Sequence, residues 1–286
     1  MEIKVLESRL AQYNIQSKQD ELNAIKEVIQ EIALSALSRS GFFKNAAFQG
    51  GTCLRIVYGL QRFSEDLDFI LLKPKKDFGW QTFLRKMQLE FEVYGLNLEV
   101  QDRSKADNAV KKAFIKEDSF GKVLTLLYPR GVSDTQKIQI KLEIDTHPPE
   151  GSTYEVKYLD FPSPFSLTLQ DRSSLFAGKC HALLCREYVK GRDWFDFVWY
   201  VSQKTPINYI FLQNALNQTG PWEKQGISLN KFWIIEQLNQ KITSIDWEVA
   251  KQDIARFLKP REAENLKLWN IGFFENYLKN LERVLS

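Results

Sequence analysis

The chain has 286 residues, with 39 Lys and Arg against 36 Asp and Glu and a formal net charge of +3; that length predicts one large domain or two modest ones, each able to bury a core. A hydrophobic fraction of 44%, a charged fraction of 26% and a mean hydropathy of −0.34 exclude disordered and collagen-like chains. Because the net charge is so small, any affinity for an anionic partner has to come from local clusters of Lys and Arg.

In chain order, residues 19–37 place Leu22, Ile25, Val28, Ile29, Ile32 and Ala33 near helical spacing and predict a long amphipathic helix. Residues 46–49 form a short apolar run closed by Gly50-Gly51 and followed by a helical pattern over 52–58, which predicts a strand turning abruptly into a helix. Leu67, Phe69 and Leu71 alternate with Asp66, Asp68 and Ile70, so a strand there projects Asp66 and Asp68 from one face. A helix over 83–94 and strands over 97–101, 122–128 and 137–145 follow; on the last, Lys141, Glu143 and Asp145 face one way and Ile140, Leu142 and Ile144 the other. Residues 146–166 contain four of the nine prolines and predict an extended crossing without regular structure, where the domain boundary falls. Beyond it, residues 175–187, 194–201, 207–216, 229–238, 249–257 and 262–285 read as helices, and six of the seven tryptophans lie in this half, a helical bundle.

Two carboxylates at i and i+2 of a strand lie about 7 Å apart and can reach one hard cation, which points to magnesium. A glycine pair opening a helix lets backbone N–H groups approach a phosphate, with the Thr52 hydroxyl as one more donor. Phe48-Gln49-Gly50-Gly51-Thr52-Cys53-Leu54 together with Arg62-Phe63-Ser64-Glu65-Asp66-Leu67-Asp68-Phe69 resembles the first motif of the DNA polymerase beta-like nucleotidyltransferase superfamily, and more closely the AbiEii/AbiGii toxin family. The resemblance implies that Asp66 and Asp68 bind magnesium, a two-ion site that carries an NTP, and that a third acid comes from a later strand. Glu143 and Asp145 are the candidates, with Glu143 favoured by the Lys-x-Glu pattern. Ser64 contacts phosphate or caps its turn, the cap being the commoner role.

Ala177-Gly178-Lys179-Cys180-His181 through Arg186, then Lys190-Gly191-Arg192-Asp193-Trp194-Phe195-Asp196-Phe197, is similar to the same family, so the resemblance extends from Gly50 to Tyr200. It implies that Lys179 and the acids Asp193 and Asp196 are active-site elements. Lys179 can offer a compact cation to triphosphate oxygens, and Arg186, seven positions on, is expected on the same helix face. Asp193 and Asp196 at i and i+3 share a face, with Trp194 turned away; they orient Lys179 or bind nucleotide, and Asp193 equally suits a helix N-cap. Basic residues cluster at Arg103, Lys105, Lys111, Lys112, Lys116 and Lys122 and again between Arg172 and Arg192, solvated faces in the ordinary case and an RNA track in the functional one.

The expected fold is α+β: a nucleotidyltransferase-like mixed sheet with flanking helices over 1–160, then a helical domain over 161–286 contributing to the active-site cleft. The expected activity is magnesium-dependent transfer of a nucleotide from an NTP to an acceptor. By resemblance the acceptor is RNA, a tRNA end included, and the protein is the toxin of a toxin–antitoxin or phage-defence pair with a separately encoded antitoxin. Transfer to a small molecule or protein and nucleotide binding without turnover are the rivals. No apolar run approaches the roughly 18 residues of a membrane span, and the N-terminus lacks the pattern of a secretory signal, so a cytoplasmic protein is expected. Cys53, Cys180 and Cys185 show no CxxC spacing and only two histidines, His147 and His181, are present, so neither zinc nor a His-based triad is expected.

Overall fold

The computed structural model describes residues 2–102, 119–129 and 135–285. The chain divides into two compact units, one of Met1–Gly59, Phe63–Pro148 and Glu155–Leu169, the other of Leu60–Arg62, Pro149–Tyr154 and Gln170–Ser286.

In the first unit, α1 (Glu2–Leu10) precedes α2 (Lys18–Arg39). The Ser17 hydroxyl accepts the Asp20 N–H at the start of α2, with Asp20 and Glu21 in the first turn and Arg39 in the last, charges that complement the helix dipole. Ile25, Val28, Ile29 and Ile32 of α2 are buried, as their spacing predicts. Strand β1 (Ala46–Gln49) runs directly into α3 (Gly50–Tyr58), and then follow β2 (Leu67–Leu71), α4 (Gln81–Val93), β3 (Asn97–Asp102), β4 (Ser119–Pro129), β5 (Thr135–Asp145), β6 (Tyr154–Leu159) and β7 (Phe165–Gln170). These strands form one mixed seven-stranded sheet in the order β3-β4-β5-β2-β1-β7-β6. Strand β2 is antiparallel to β1 and parallel to β5. An aromatic cluster fills the core beside it: Phe42 stacks on Trp80 at 5.5 Å and meets Phe69 edge-on at 4.9 Å.

The expectation of an unstructured crossing over 146–166 is corrected, because β6 and β7 both belong to the sheet. The four prolines lie before β6 and between the two strands, so they bracket the ladder without interrupting it.

The second unit contains α5 (Arg172–Cys185), α6 (Gly191–Ser202), α7 (Tyr209–Gln218), α8 (Lys231–Ser244), α9 (Trp247–Ala255), α10 (Pro260–Glu264) and α11 (Ile271–Val284). Side chains of Asp171, Asn208, Asn230, Asp246 and Asn270 accept first-turn N–H groups of α5, α7, α8, α9 and α11. The single helix expected over 262–285 is broken, because Asn270 caps a new helix after a short 3₁₀ turn at Asn265–Leu268. Trp194, Trp247, Trp269 and Phe274 form the aromatic core, with Trp247 stacked on Phe274 at 3.9 Å and Trp194 edge-on to Phe274 at 5.4 Å.

Helices α6 and α9 cross at Gly191, where an added Cβ would stand 1.9 Å from the Ala250 carbonyl oxygen. Gly191→Ala is therefore expected to destabilise by about 1–3 kcal/mol in urea unfolding. Gly178→Ala in mid-α5 meets only Phe211 at 3.8 Å and is expected to be neutral or stabilising by up to about 1 kcal/mol.

Candidate active site

The geometry of the first unit's site follows from strand register. Asp68 pairs with Gln49 across the antiparallel β1–β2 ladder and with Glu143 across the parallel β2–β5 ladder. Gln49 is the last residue of β1, so the chain turns into α3 at the level of Asp68. Gly50 takes φ +80°, and a Cβ there would lie 2.4 Å from the Asp68 Oδ2. Only glycine combines that left-handed conformation with so close an approach to a carboxylate. The Gln49 side chain does not cap α3; its amide donates to the Phe69 carbonyl at 3.0 Å.

Glu143 stands directly beside Asp68 on one face of the sheet, and Asp66 lies two positions before Asp68, just ahead of β2. Lys141 sits among them: its ammonium pairs with the Glu143 carboxylate. Burial works to lower the Lys141 pKa, but Glu143, then Asp66 and Asp68, raise it above the ordinary lysine value. Among the described residues no group of three or more His, Cys, Asp or Glu side chains is already gathered into a metal cage. The donor set still suits a hard divalent cation, since it consists of carboxylate oxygens and they already hold one positive charge among them.

Asp145 lies one alternation further along β5, paired in register with Ile70, and its Oδ1 accepts the His147 N–H at 3.0 Å. Asp145 is buried whereas Glu143 is half-buried, and Glu143 is the one in register with Asp68. The Thr52 hydroxyl is fully buried and donates to the Asp66 carbonyl, tying the glycine elbow to the acid strand. Ser64 contributes its carbonyl, which accepts from the Gln30 Nε2 at 3.1 Å; the same amide reaches the Glu65 carbonyl at 2.9 Å. Gln30 is fully buried in α2 and clamps the segment leading to Asp66. Sequence spacing did not single it out, because a glutamine on an apolar face carries no motif.

The second constellation lies wholly in the second unit. Lys179 on α5 pairs with Asp193 Oδ1 at 2.7 Å and Asp196 Oδ2 at 2.8 Å, both on α6. Arg62 binds Asp196 through both oxygens, at 2.6 and 2.7 Å, and the Arg186 Nε stands 3.2 Å from Asp193 Oδ2. Arg186 is corrected from the face of α5 to the residue just past its end, with extended backbone. Burial opposes ionisation throughout, yet the Lys179 and Arg186 cations hold Asp193 well below the usual carboxylate range. Asp196 is lowered chiefly by Arg62 and Lys179, and the two aspartates raise Lys179. Asp193 lies in the first turn of α6, whose preceding Lys190 makes no side-chain cap. Arg62 belongs to the first sequence motif but was given no role by it; its partner is 134 positions away.

His181 contacts the Thr219 carbonyl at 3.2 Å. Of the basic cluster, Arg103, Lys105, Lys111, Lys112 and Lys116 lie outside the described residues, and Lys122 lies in β4.

Breaking the Arg62–Asp196 pair by Asp196→Ala or Arg62→Ala leaves a buried charge uncompensated and is expected to cost about 3–5 kcal/mol in denaturant unfolding. Because Asp193 and Asp196 are depressed in the folded state, their contribution is present above the unfolded carboxylate pKa of about 3.9 and lost as pH falls below it. Lys179 is raised, so its contribution persists through neutral pH and is lost only above the unfolded lysine value of about 10.4. Unfolding between pH 5 and 2 is expected to show a steep acid loss that Asp196→Asn flattens.

Comparison with known proteins matches residues 32–272 to the family described as "Nucleotidyl transferase AbiEii toxin, Type IV TA system". A candidate nucleotidyltransferase of Helicobacter pylori of known structure is 17% identical, with TM-score 0.52 over 95% of this chain and 100% of that one. JHP933 of Helicobacter pylori is 16% identical, with TM-score 0.51 over 94% of this chain and 96% of that one. At those identities the likeness is one of fold. No curated protein matches the chain. The family match spans both the carboxylate face with its glycine elbow and the Lys179 network, and the chain belongs to the AbiEii nucleotidyl transferase toxin family of type IV toxin–antitoxin systems.

Proposed function

We propose that this enzyme uses magnesium at Asp66, Asp68 and Glu143 to transfer a nucleotide from an NTP to an RNA acceptor, a tRNA end included. In this reading it acts in the cytoplasm as a toxin that a separately encoded antitoxin restrains, with phage defence as its setting. The observation that carries the metal and nucleotide assignments is the contact of Gly50 with Asp68 beside Glu143.

Each part of the site has a task that its chemistry supports. Asp66, Asp68 and Glu143 supply hard oxygen ligands for the cation, which neutralises charge at the in-line phosphoryl centre and lowers the pKa of the attacking hydroxyl. Gly50, Gly51 and Thr52 present backbone N–H groups at the start of α3 to phosphate oxygens; the Thr52 hydroxyl itself is committed to the Asp66 carbonyl. Lys141 pairs with the Glu143 carboxylate and sets one positive charge beside the acids. Lys179, Asp193, Asp196 and Arg186 form a fixed charge array in which every aspartate is ion-paired. The family resemblance makes Lys179, Asp193 and Asp196 active-site elements, and the ion pairs support an oriented Lys179 ammonium rather than a mobile one.

The direct test incubates the protein with each labelled NTP, magnesium and pooled cellular RNA. Labelled RNA that vanishes on chelation is expected; label on a metabolite or protein instead would move the acceptor to that class, and no transfer at all would leave nucleotide binding alone. Asp68→Asn, Asp66→Asn and Glu143→Gln are each expected to lower transfer at least about a hundredfold, while Asp145→Asn retains more activity than Glu143→Gln. Gly50→Ala, whose Cβ would collide with Asp68 Oδ2, is expected to match the aspartate variants in lost transfer while keeping a cooperative unfolding transition.

A further inference from the structure

Within the second unit, α5, α6 and α8 enclose a cavity of about 90 Å³ whose lining includes Arg186, Tyr188, Lys190, Lys241 and Ser244. It is smaller than the roughly 150 Å³ cavity that accommodates benzene, so its enclosed part suits a phosphate group and not a nucleobase. Its charged lining is three cations, Arg186, Lys190 and Lys241, against two acids. Asp193, one of its two acids, is ion-paired with Lys179 and Arg186, and Glu187 is the other. The Lys241 ammonium donates to the Arg186 carbonyl at 3.2 Å, which fixes it at the rim and leaves two of its three N–H donors to be satisfied otherwise. Tyr188 is half exposed, with its ring 4.9 Å from the Arg186 guanidinium carbon.

Lys190 is the informative residue. Its side chain lines the cavity, and its ammonium makes no hydrogen bond or ion pair with any described residue. Burial lowers its pKa most; Asp193 pulls the other way, while Arg192, Arg186 and Lys179 lower it further. A partly desolvated ammonium among other cations gains most from an added anion. Apolar Leu183, Trp194 and Ile245 line part of the remaining wall, which reduces competition from water.

We propose that this cavity is a phosphodiester subsite of the acceptor RNA, with Lys190 and Lys241 on the phosphate oxygens and the Tyr188 ring beside an adjoining nucleotide. The subsite rests on the RNA reading above. A recess of about 90 Å³ with an aromatic ring at its rim favours a single strand over the shallow groove of a duplex.

The test measures binding of a labelled single-stranded oligoribonucleotide to the full chain across a salt series, for the parent and for Lys190→Ala, Lys241→Ala and Lys190→Arg, with labelled NTP binding in parallel. Each alanine variant is expected to weaken RNA binding about three- to tenfold. Each should also reduce the slope of log affinity against log salt by about 0.7, the value for one phosphate contact on a single strand. NTP affinity should be unchanged, and Lys190→Arg should restore most RNA binding. Parent-like RNA affinity and salt slope in both alanine variants would overturn the subsite while leaving the RNA reading intact. A parent that does not bind RNA would overturn both. Loss of NTP affinity in the variants, with RNA binding kept, would reassign the pocket to the nucleotide triphosphate and overturn the RNA subsite. Thermal unfolding of each variant guards against general loss of structure, and the Lys190→Arg outcome keeps the comparison decisive if Lys190→Ala unfolds.

Discussion

Mutual repulsion of carboxylates held side by side is the constraint around which the first unit is organised. At about 5 Å and an effective dielectric near 20, each such pair costs about 3 kcal/mol, and relaxation would separate them were the backbone free to move. It is not free. Asp68 is fixed by ladders on both sides, to Gln49 and to Glu143. The segment before it is clamped by Gln30 and by the Lys26–Glu65 ion pair at 3.0 Å, both from the long buried helix α2. The Thr52 hydroxyl ties the elbow to the same segment. The repulsion is thus retained by the fold and offset locally by Lys141, an arrangement that a divalent cation with twice the charge can take over.

The second unit handles charge in the opposite manner. Arg62, Lys179, Asp193 and Asp196 are all nearly inaccessible, and each would be costly to bury alone. They are tolerable because every carboxylate oxygen has a cation close by, with the bidentate Arg62–Asp196 pair the best formed. Such a network adds little net stability over an apolar core, but it is severe on any register error in α5 and α6. Its effect is to fix where one lysine and one aspartate stand.

Much of this was legible in the sequence where a local rule governs the outcome. Alternation placed Asp68 and Glu143 and the strands that carry them, and the glycine pair marked the β1–α3 elbow, because period and glycine conformation are local properties. Tertiary choices were less visible. Strands β6 and β7 were hidden by prolines that turned out to flank them, and the break before α11 depended on one asparagine acting as a cap. Arg62 and Gln30 gave no signal of their role, since a buried partner 134 or 34 positions away leaves no spacing to read. The displacement of Arg186 beyond the end of α5 likewise reflects where the helix stops, the least predictable feature of any helix.

Charge counting links the buried network to the surface beside it. Three cations, Arg62, Lys179 and Arg186, contact two carboxylates, so the array is positive before its neighbours are considered. Lys190 and Lys241 add two more positive charges at the edge where Arg186 emerges, and the nearby Glu187 supplies one negative. A folded protein has little reason to gather cations in a partly desolvated recess for stability alone, since each addition raises the cost of the others. The array that positions Lys179 internally therefore also sets up a positive recess on its outer side, and the same two aspartates that neutralise the interior leave that recess to an anion.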